Sequence, residues 1–299
     1  MGLLYEKPPF FVKPASLVFF VLSGSVAADS GCGNALSEEI TKTAAGDAAG
    51  PVQEENQIVI IYAPDEYLSF HCIAGACRHT CCVGWEIDID DASLQRYQNM
   101  EGRLGEKLRR NIALLPSPHF VLLPGERCPF LTGENLCELI LGAGEDALCQ
   151  ICTDHPRFRN YWSDRIEIGL GLACEEAARL MLSSPHPLRL VPLGEDPEEV
   201  AEEPSEEEIA LRQCRDQLLA AVPGSGPAAR LREYLLYRHV ADALYDGLLE
   251  PRIRFAEQAA DRILSGWNGV SLPDLIERAR SFSNEVEYDD EKLRSFLSK

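Results

Sequence analysis

A mainly helical chain with minor β structure, in which a cysteine-rich α+β domain precedes an all-helical one, is predicted by three features of the 299 residues. Cysteines crowd into one stretch, with nine of the 11 between Cys72 and Cys174. An acidic, proline-punctuated run follows at 194–208. Beyond it, apolar residues recur at helical spacing almost to the end. With 45% hydrophobic residues the chain can bury the cores of two domains.

Residues 1–56 read as a disordered or non-native extension. Within them, 16–28 imitate a short secretory segment with small residues before Asp29. Glu6, the Pro8-Pro9 pair and weak positive charge argue against export, and the run is too short to span a bilayer. Gly33 to Asn56 is small, polar and acidic, a composition that stays unfolded.

The cysteine-rich metal- or cluster-binding domain is expected over 57–192. Ile58 to Tyr62 makes a short buried strand. Asp90 or Asp91 caps a helix whose Leu94, Tyr97, Leu104, Leu108 and Ile112 share one face. His119 to Leu123 and Arg165 to Ala173 are strand candidates, the second entered by a turn at Ser163-Asp164. Cys149 and Cys152 share a helical face that Pro156 ends. Cys174 opens a helix over Glu175 to Leu182, where the helix dipole should favour thiolate.

Residues 193–204 are expected to link the domains, because their acids and prolines cannot build a core. Ser205 and Glu208 then form a capping box that starts the helical domain, 205–299. Leu231, Tyr234, Leu235, Leu244, Tyr245 and Leu248 lie on one helical face. Phe255, Ala259, Ile263 and Leu264 repeat the spacing until Gly266. Shorter helices are predicted at Leu272–Arg280 and Asp290–Leu297.

The balance of 28 basic and 48 acidic residues gives a formal net charge of -20. That argues against nucleic acid as a partner, since phosphate binding needs a basic footprint. It also disfavours an anionic membrane surface, and the chain reads as cytoplasmic. An acidic field attracts an exposed lysine, although solubility alone accounts for it.

The odd cysteine total cannot be consumed by intramolecular disulfides, and a disulfide framework suits shorter secreted domains. Clustered thiols in a reducing compartment point instead to metal. Cys72, Cys77, Cys81 and Cys82 fall within eleven positions, with Gly75 and Gly84 giving the loops freedom to curl. Cys128, Cys137, Cys149, Cys152 and Cys174 follow. Thiolates bind zinc tetrahedrally or hold an iron–sulfur cluster, and both want four sulfurs at close range. Adjacent Cys81 and Cys82 point differently, so both binding one ion is disfavoured. Cys32 and Cys214 lie outside the constellation.

The run from Phe70 to Asp90, with Cys81-Cys82-Val83-Gly84-Trp85-Glu86-Ile87-Asp88-Ile89-Asp90 at its end, resembles the opening motif of the flagellin lysine N-methylases. The wider group is described as a zinc- or iron-chelating cysteine domain. The resemblance continues through Cys128-Pro129-Phe130-Leu131, Leu136-Cys137, Cys152-Thr153-Asp154-His155-Pro156-Arg157 and Leu172 to Leu180. It ends in Ala279 to Tyr288, and so covers roughly 57–299. Cys149 departs from the pattern, and the helical region is shorter than in typical members.

The resemblance implies methyl transfer from S-adenosylmethionine to lysine amines of flagellin. It implies metal ligands at Cys72, Cys77, Cys81, Cys82, Cys128, Cys137, Cys152 and Cys174, holding an iron–sulfur cluster (4Fe-4S among the types) or zinc. Gly142-Ala143-Gly144 and Gly169-Leu170-Gly171 are too short and ill-placed for a nucleotide-binding glycine loop. An amine nucleophile needs no radical chemistry once it is neutral. His155 is a candidate base, with Tyr161 and Glu175 as further catalytic candidates. Arg157 is a candidate for the donor's carboxylate. Glu86, Asp88 and Asp90 are nearby polar groups with capping as their plainer role. The competing expectations are a chelating or electron-transfer module without methylase activity, and a helical adaptor stabilised by zinc.

Overall fold

The structure, a computed structural model, describes residues 58–287 and 290–298. The expected extension at 1–56, with Cys32, lies outside them. A four-stranded sheet is ordered β4-β5-β1-β6. Strand β1 (Ile58–Pro64) alternates, burying Val59 and Ala63 while Ile58 and Ile60 face solvent. It pairs in parallel with β5 (Arg165–Leu170) and antiparallel with β6 (Leu190–Val200). At the opposite edge β4 (Arg157–Tyr161) pairs antiparallel with β5. A separate two-stranded ribbon joins β2 (Ile112–Ala113) to β3 (His119–Phe120).

Two sequence expectations are corrected here, and one element is added. The single helix expected from Asp91 to Ile112 is two, α1 (Asp91–Asn99) and α2 (Gly102–Arg110), and Ile112 belongs to β2. The chain breaks at Glu101, which is extended, and Gly102, whose φ of 77° suits glycine. The run expected as a linker is largely β6. Its acids are tolerated because β6 is an edge strand, where charge in water also blocks further strand pairing. The third difference is an addition, β4, in a stretch for which no element was expected.

Short helices α3 (Glu138–Ala143) and α4 (Gln150–Asp154) complete the cysteine-rich region, and α5 (Glu175–Ser183) begins where expected. The capping box forms: the Ser205 side chain accepts from Glu208 N at 3.1 Å, and Ser205 N donates to Glu208 Oε2 at 2.9 Å. It opens α6 (Glu206–Ala221). There follow α7 (Pro227–Ala241), α8 (Ala243–Asp246), α9 (Leu249–Leu264), α10 (Leu272–Phe282) and α11 (Asp290–Leu297). Gly266, at φ 74°, lies just past α9.

Two cores matter for the site. The larger joins Phe70, Trp162, Leu170 and Leu172 to α5 and to the inner faces of α7, α9 and α10. It therefore crosses the expected boundary between the cysteine-rich and helical regions. The smaller packs Ile87, Ile89, Tyr97, Leu108, Phe120, Phe130 and Leu139 together with cysteines. Tyr97 stacks on Phe120 and Phe120 meets Phe130 at a tilt, with ring centroids 5.9 and 4.9 Å apart.

Candidate functional site

The cysteine loop from Cys72 to Trp85 is held at both ends by different parts of the protein. Its first half is lashed to α5 and α10. Glu175, at the start of α5, accepts from Arg78 N at 2.9 Å and Arg78 Nε at 2.7 Å, and from the Cys77 thiol at 3.6 Å. His79 Nε2 meets Glu277 of α10 at 2.7 Å. Its second half is bound to the strand-like segment at 126–128. Gly84 N donates to Glu126 O, Cys128 N donates to Cys82 O at 2.8 Å, and Val83 bridges Arg127. Gly84 takes φ 95°, which glycine tolerates. Within the loop, Thr80 Oγ1 accepts from Cys82 N and Trp85 Nε1 donates to Cys81 O.

The remaining cysteines follow the same division. Cys128 and Cys149 are buried in the smaller core, and Cys82, Cys137 and Cys152 pack against it. A Leu131–Cys137 bridge and the Glu138 N to Phe130 O bond place Cys137 there. Cys149 stands at the N-cap of α4 and Cys152 within it. That helix is anchored through Asp90, whose Oδ1 accepts from Ser93 N and whose Oδ2 accepts from Gln150 N, both at 2.8 Å. Cys174, by contrast, packs on the larger core at the N-cap of α5.

The thiol electrostatics cross this division at one place, the Cys81–Cys82 pair. Cys81 feels Cys82 first and then Cys72 and Cys174, while Cys174 feels Cys72 and Cys77 feels Cys174. Cys128 feels Cys82, Cys137 and Cys149, while Cys152 feels Cys149, Cys82 and Cys128. Burial pushes Cys77 up to about 11 and Cys128 up to about 12. Hydrogen bonding from Cys81 favours thiolate at Cys82, lowering it to about 7 and raising Cys81. Cys152 and Cys149 share a proton in the same way, with Cys149 lowered. At Cys174 the expected thiolate is not favoured: burial raises its pKa and outweighs the hydrogen bonds from Ala177 and Glu176.

All the gathered donors are thiols, the chemistry that zinc and iron–sulfur clusters take. As placed, no three His, Cys, Asp or Glu side chains among the described residues converge on a point that would hold an ion. The residues match such a centre in donor chemistry, while their placement closes no site.

The catalytic candidates are scattered. His155 lies under Trp85, with ring centroids 5.8 Å apart, and its buried Nε2 has no hydrogen-bond partner among the described residues. Burial, with the Arg157 charge, lowers it to about 4, so the imidazole is neutral at pH 7. Glu175 is held below the ordinary carboxylate range, because the Arg78 bonds and charge outweigh its burial. It serves as a clamp. Arg157 is already engaged: Nε donates to Tyr67 Oη at 3.0 Å, Nη1 donates to Thr153 O at 3.2 Å, and its plane lies over Phe70. Tyr161 packs on a third core with Val59, Ala63, Ile166 and Ile168, which contains no cysteine.

Asp88 accepts from Ser117 Oγ, and Glu86 approaches His119 at 3.6 Å. Glu86, His119 and Glu126, with Trp85, line a cleft of about 350 Å³ beside the loop. The two glycine pairs build no nucleotide loop. Ala143 ends α3, and a Cβ at Gly169 would meet the Phe158 ring at 2.1 Å, so that glycine is needed for packing. Arg78 and His79 were not singled out in the sequence; their partners are 97 and 198 residues away, beyond any local signal.

Among curated proteins, the chain is similar to the flagellar biosynthetic protein FliU of Salmonella muenchen, at 27% identity over 139 residues. That stretch is 44% of this chain and 82% of FliU. It is equally similar, at 27% over 139 residues, to a lysine-N-methylase of Salmonella typhimurium and one of Salmonella choleraesuis. There the match covers 44% of this chain but 35% of each relative, so the chain spans about a third of those enzymes. These relatives bear out the resemblance to flagellin lysine N-methylases. No protein-family model matches the chain, and no solved structure does. No helix among the described residues is long and apolar enough to cross a membrane.

Proposed function

We propose that the chain methylates lysine side chains of flagellin, using S-adenosylmethionine as donor, and that its cysteines hold an iron–sulfur cluster or zinc. The observation that carries methyl transfer is the similarity to two lysine-N-methylases, with FliU pointing to the flagellum. The metal part is supported by nine free thiols among the described residues, six of which pack on two cores. The donor supplies an electrophilic methyl, and a metal centre here would tie the cysteine loops together.

What the chain's own residues contribute is reception of the lysine. Glu86 and Glu126 on the cleft attract an ammonium, and Trp85 offers a face to its alkyl stem. The nitrogen must lose its proton before it can attack, against an ordinary pKa of about 10.4. His155, held near 4, is a poor acceptor for that proton. The rate is therefore expected to rise with pH toward the lysine value.

The test is the intact mass of the cognate flagellin after incubation with the metal-loaded protein and S-adenosylmethionine. Steps of about 14 Da, one per methyl, are expected, and they should disappear when the metal is stripped. Unchanged flagellin, with metal retained, would leave a chelating or electron-transfer module. The 35% coverage of the methylases is what favours that second reading.

A further inference from the structure

Two pairs of thiols among the described residues are hydrogen-bonded to each other, Cys81 with Cys82 and Cys149 with Cys152. They differ in the bond they can form. Cys81 and Cys82 are neighbours, and Cα atoms across one trans peptide stand about 3.8 Å apart, short of the roughly 4.4 Å at which ordinary disulfides begin. Cys149 and Cys152 are the N-cap and third residue of α4, which sets their Cα atoms about 5 Å apart, inside that range.

The turn that carries this second pair is held from several sides. Thr153 N and Thr153 Oγ1 donate to Cys149 O at 3.0 and 3.2 Å. Asp90 accepts from Gln150 N, between the two cysteines, at 2.8 Å. Tyr97, whose Oη donates to Ala147 O at 2.7 Å, also bonds the Cys149 thiol. Cys149 has no exposure, while Cys152 is half-buried. The Cys-x-x-Cys spacing is that of dithiol redox motifs.

We infer that Cys149 and Cys152 form a redox-active dithiol, which hydrogen peroxide oxidises to a disulfide closing the first turn of α4. Exposure divides the roles. The Cys152 proton passes along the hydrogen bond to Cys149, and the Cys152 sulfur attacks one peroxide oxygen. The O–O bond breaks, leaving a sulfenic acid at Cys152 and hydroxide. Cys149, shielded from the oxidant but in contact with Cys152, then displaces the hydroxyl from that sulfur. The S–S bond forms and the Cys149 proton leaves with the hydroxyl as water. Counted from two thiols, one peroxide takes up two electrons and two protons, and two waters leave.

Differential alkylation and peptide mapping test this on the full-length protein, purified without oxygen and then titrated with hydrogen peroxide. Cys149 and Cys152 are expected to lose alkylation together, in a peptide lighter by about 2 Da, two hydrogens. This should need less peroxide than oxidation of Cys128 or Cys137, and dithiothreitol should restore both thiols. In Cys149→Ser, the Cys152 sulfur should stop at a sulfenic acid that dimedone traps; if that variant fails to fold, the mapping of the native chain decides alone. Three results would each overturn the inference: a disulfide from Cys152 to any other cysteine, oxidation of Cys152 beyond sulfenic acid while Cys149 still alkylates, or both thiols still free once the other cysteines are oxidised. The dithiol needs neither methyl transfer nor metal, so flagellin mass and metal content measured on the same samples report on those separately.

Discussion

Asp90 joins two helices of the cysteine-rich region through one carboxylate. One oxygen caps α1 through Ser93, the other receives Gln150 at the start of α4, and so one side chain fixes two helices and the placement of Cys149 and Cys152. Asp90→Ala should cost about 2 kcal/mol, the sum of two modest caps, whereas Asp91→Ala should stay within about 0.5 kcal/mol. Urea denaturation distinguishes them, and equal losses would refute the double cap. The sequence left Asp90 and Asp91 open as caps, because both precede the helix; the partner 60 residues away decides between them. His155 gives a pH signature. Its folded pKa is near 4 against an ordinary 6.5, so between those values the unfolded chain binds more protons and stability rises with pH. The gain is up to ~3 kcal/mol, complete above pH 6.5 and lost as pH falls toward 4. His155→Gln should flatten that part of the stability profile, and an unchanged slope would show that the imidazole is not buried neutral.

Among the elements, β5 and α6 are joined by an ion pair with almost no exposure. Arg215 Nη1 donates to Glu167 Oε2 at 2.5 Å and Nη2 to Oε1 at 3.1 Å, with side-chain exposures of 3% and 0%. Removing one partner strands the other charge, so Glu167→Gln should cost about 3–5 kcal/mol and lower Tm by on the order of 10 °C. Replacing both residues with apolar ones of similar volume should recover most of that loss. A thermal scan showing the single and double variants alike would contradict the pairing. Elements with a local signal were legible: the Ser205–Glu208 box, the Cys174 start of α5, and α9 to α11 all fall where spacing and caps put them. Those decided by distant partners were not. Strand β6 exists because β1 offers it an edge, and α1 separates from α2 because Glu101 and Gly102 leave the helical conformation, which an apolar repeat running through them conceals.

For the whole molecule, the sequence carried the presence of a thiol-rich site but not its arrangement. Eight cysteines could be named as candidate ligands from the resemblance, yet which of them pack on which core depends on distant partners that have no signature in one chain. The acidic balance of -20 is likewise a property of the whole surface, and it makes a prediction at that scale. If the field draws basic side chains toward the protein, added salt should raise the KM for a lysine substrate more than it lowers kcat. Steady-state kinetics at two salt concentrations decide this, and a salt-independent KM would remove any role for the charge. The account as a whole depends on cysteine sulfur binding metal in this chain. X-ray absorption at the edge of whichever metal copurifies measures that most directly. The predicted result is a first shell of sulfur alone at about 2.3 Å. A shell of nitrogen or oxygen, or protein that carries no metal when purified without oxygen, would contradict it.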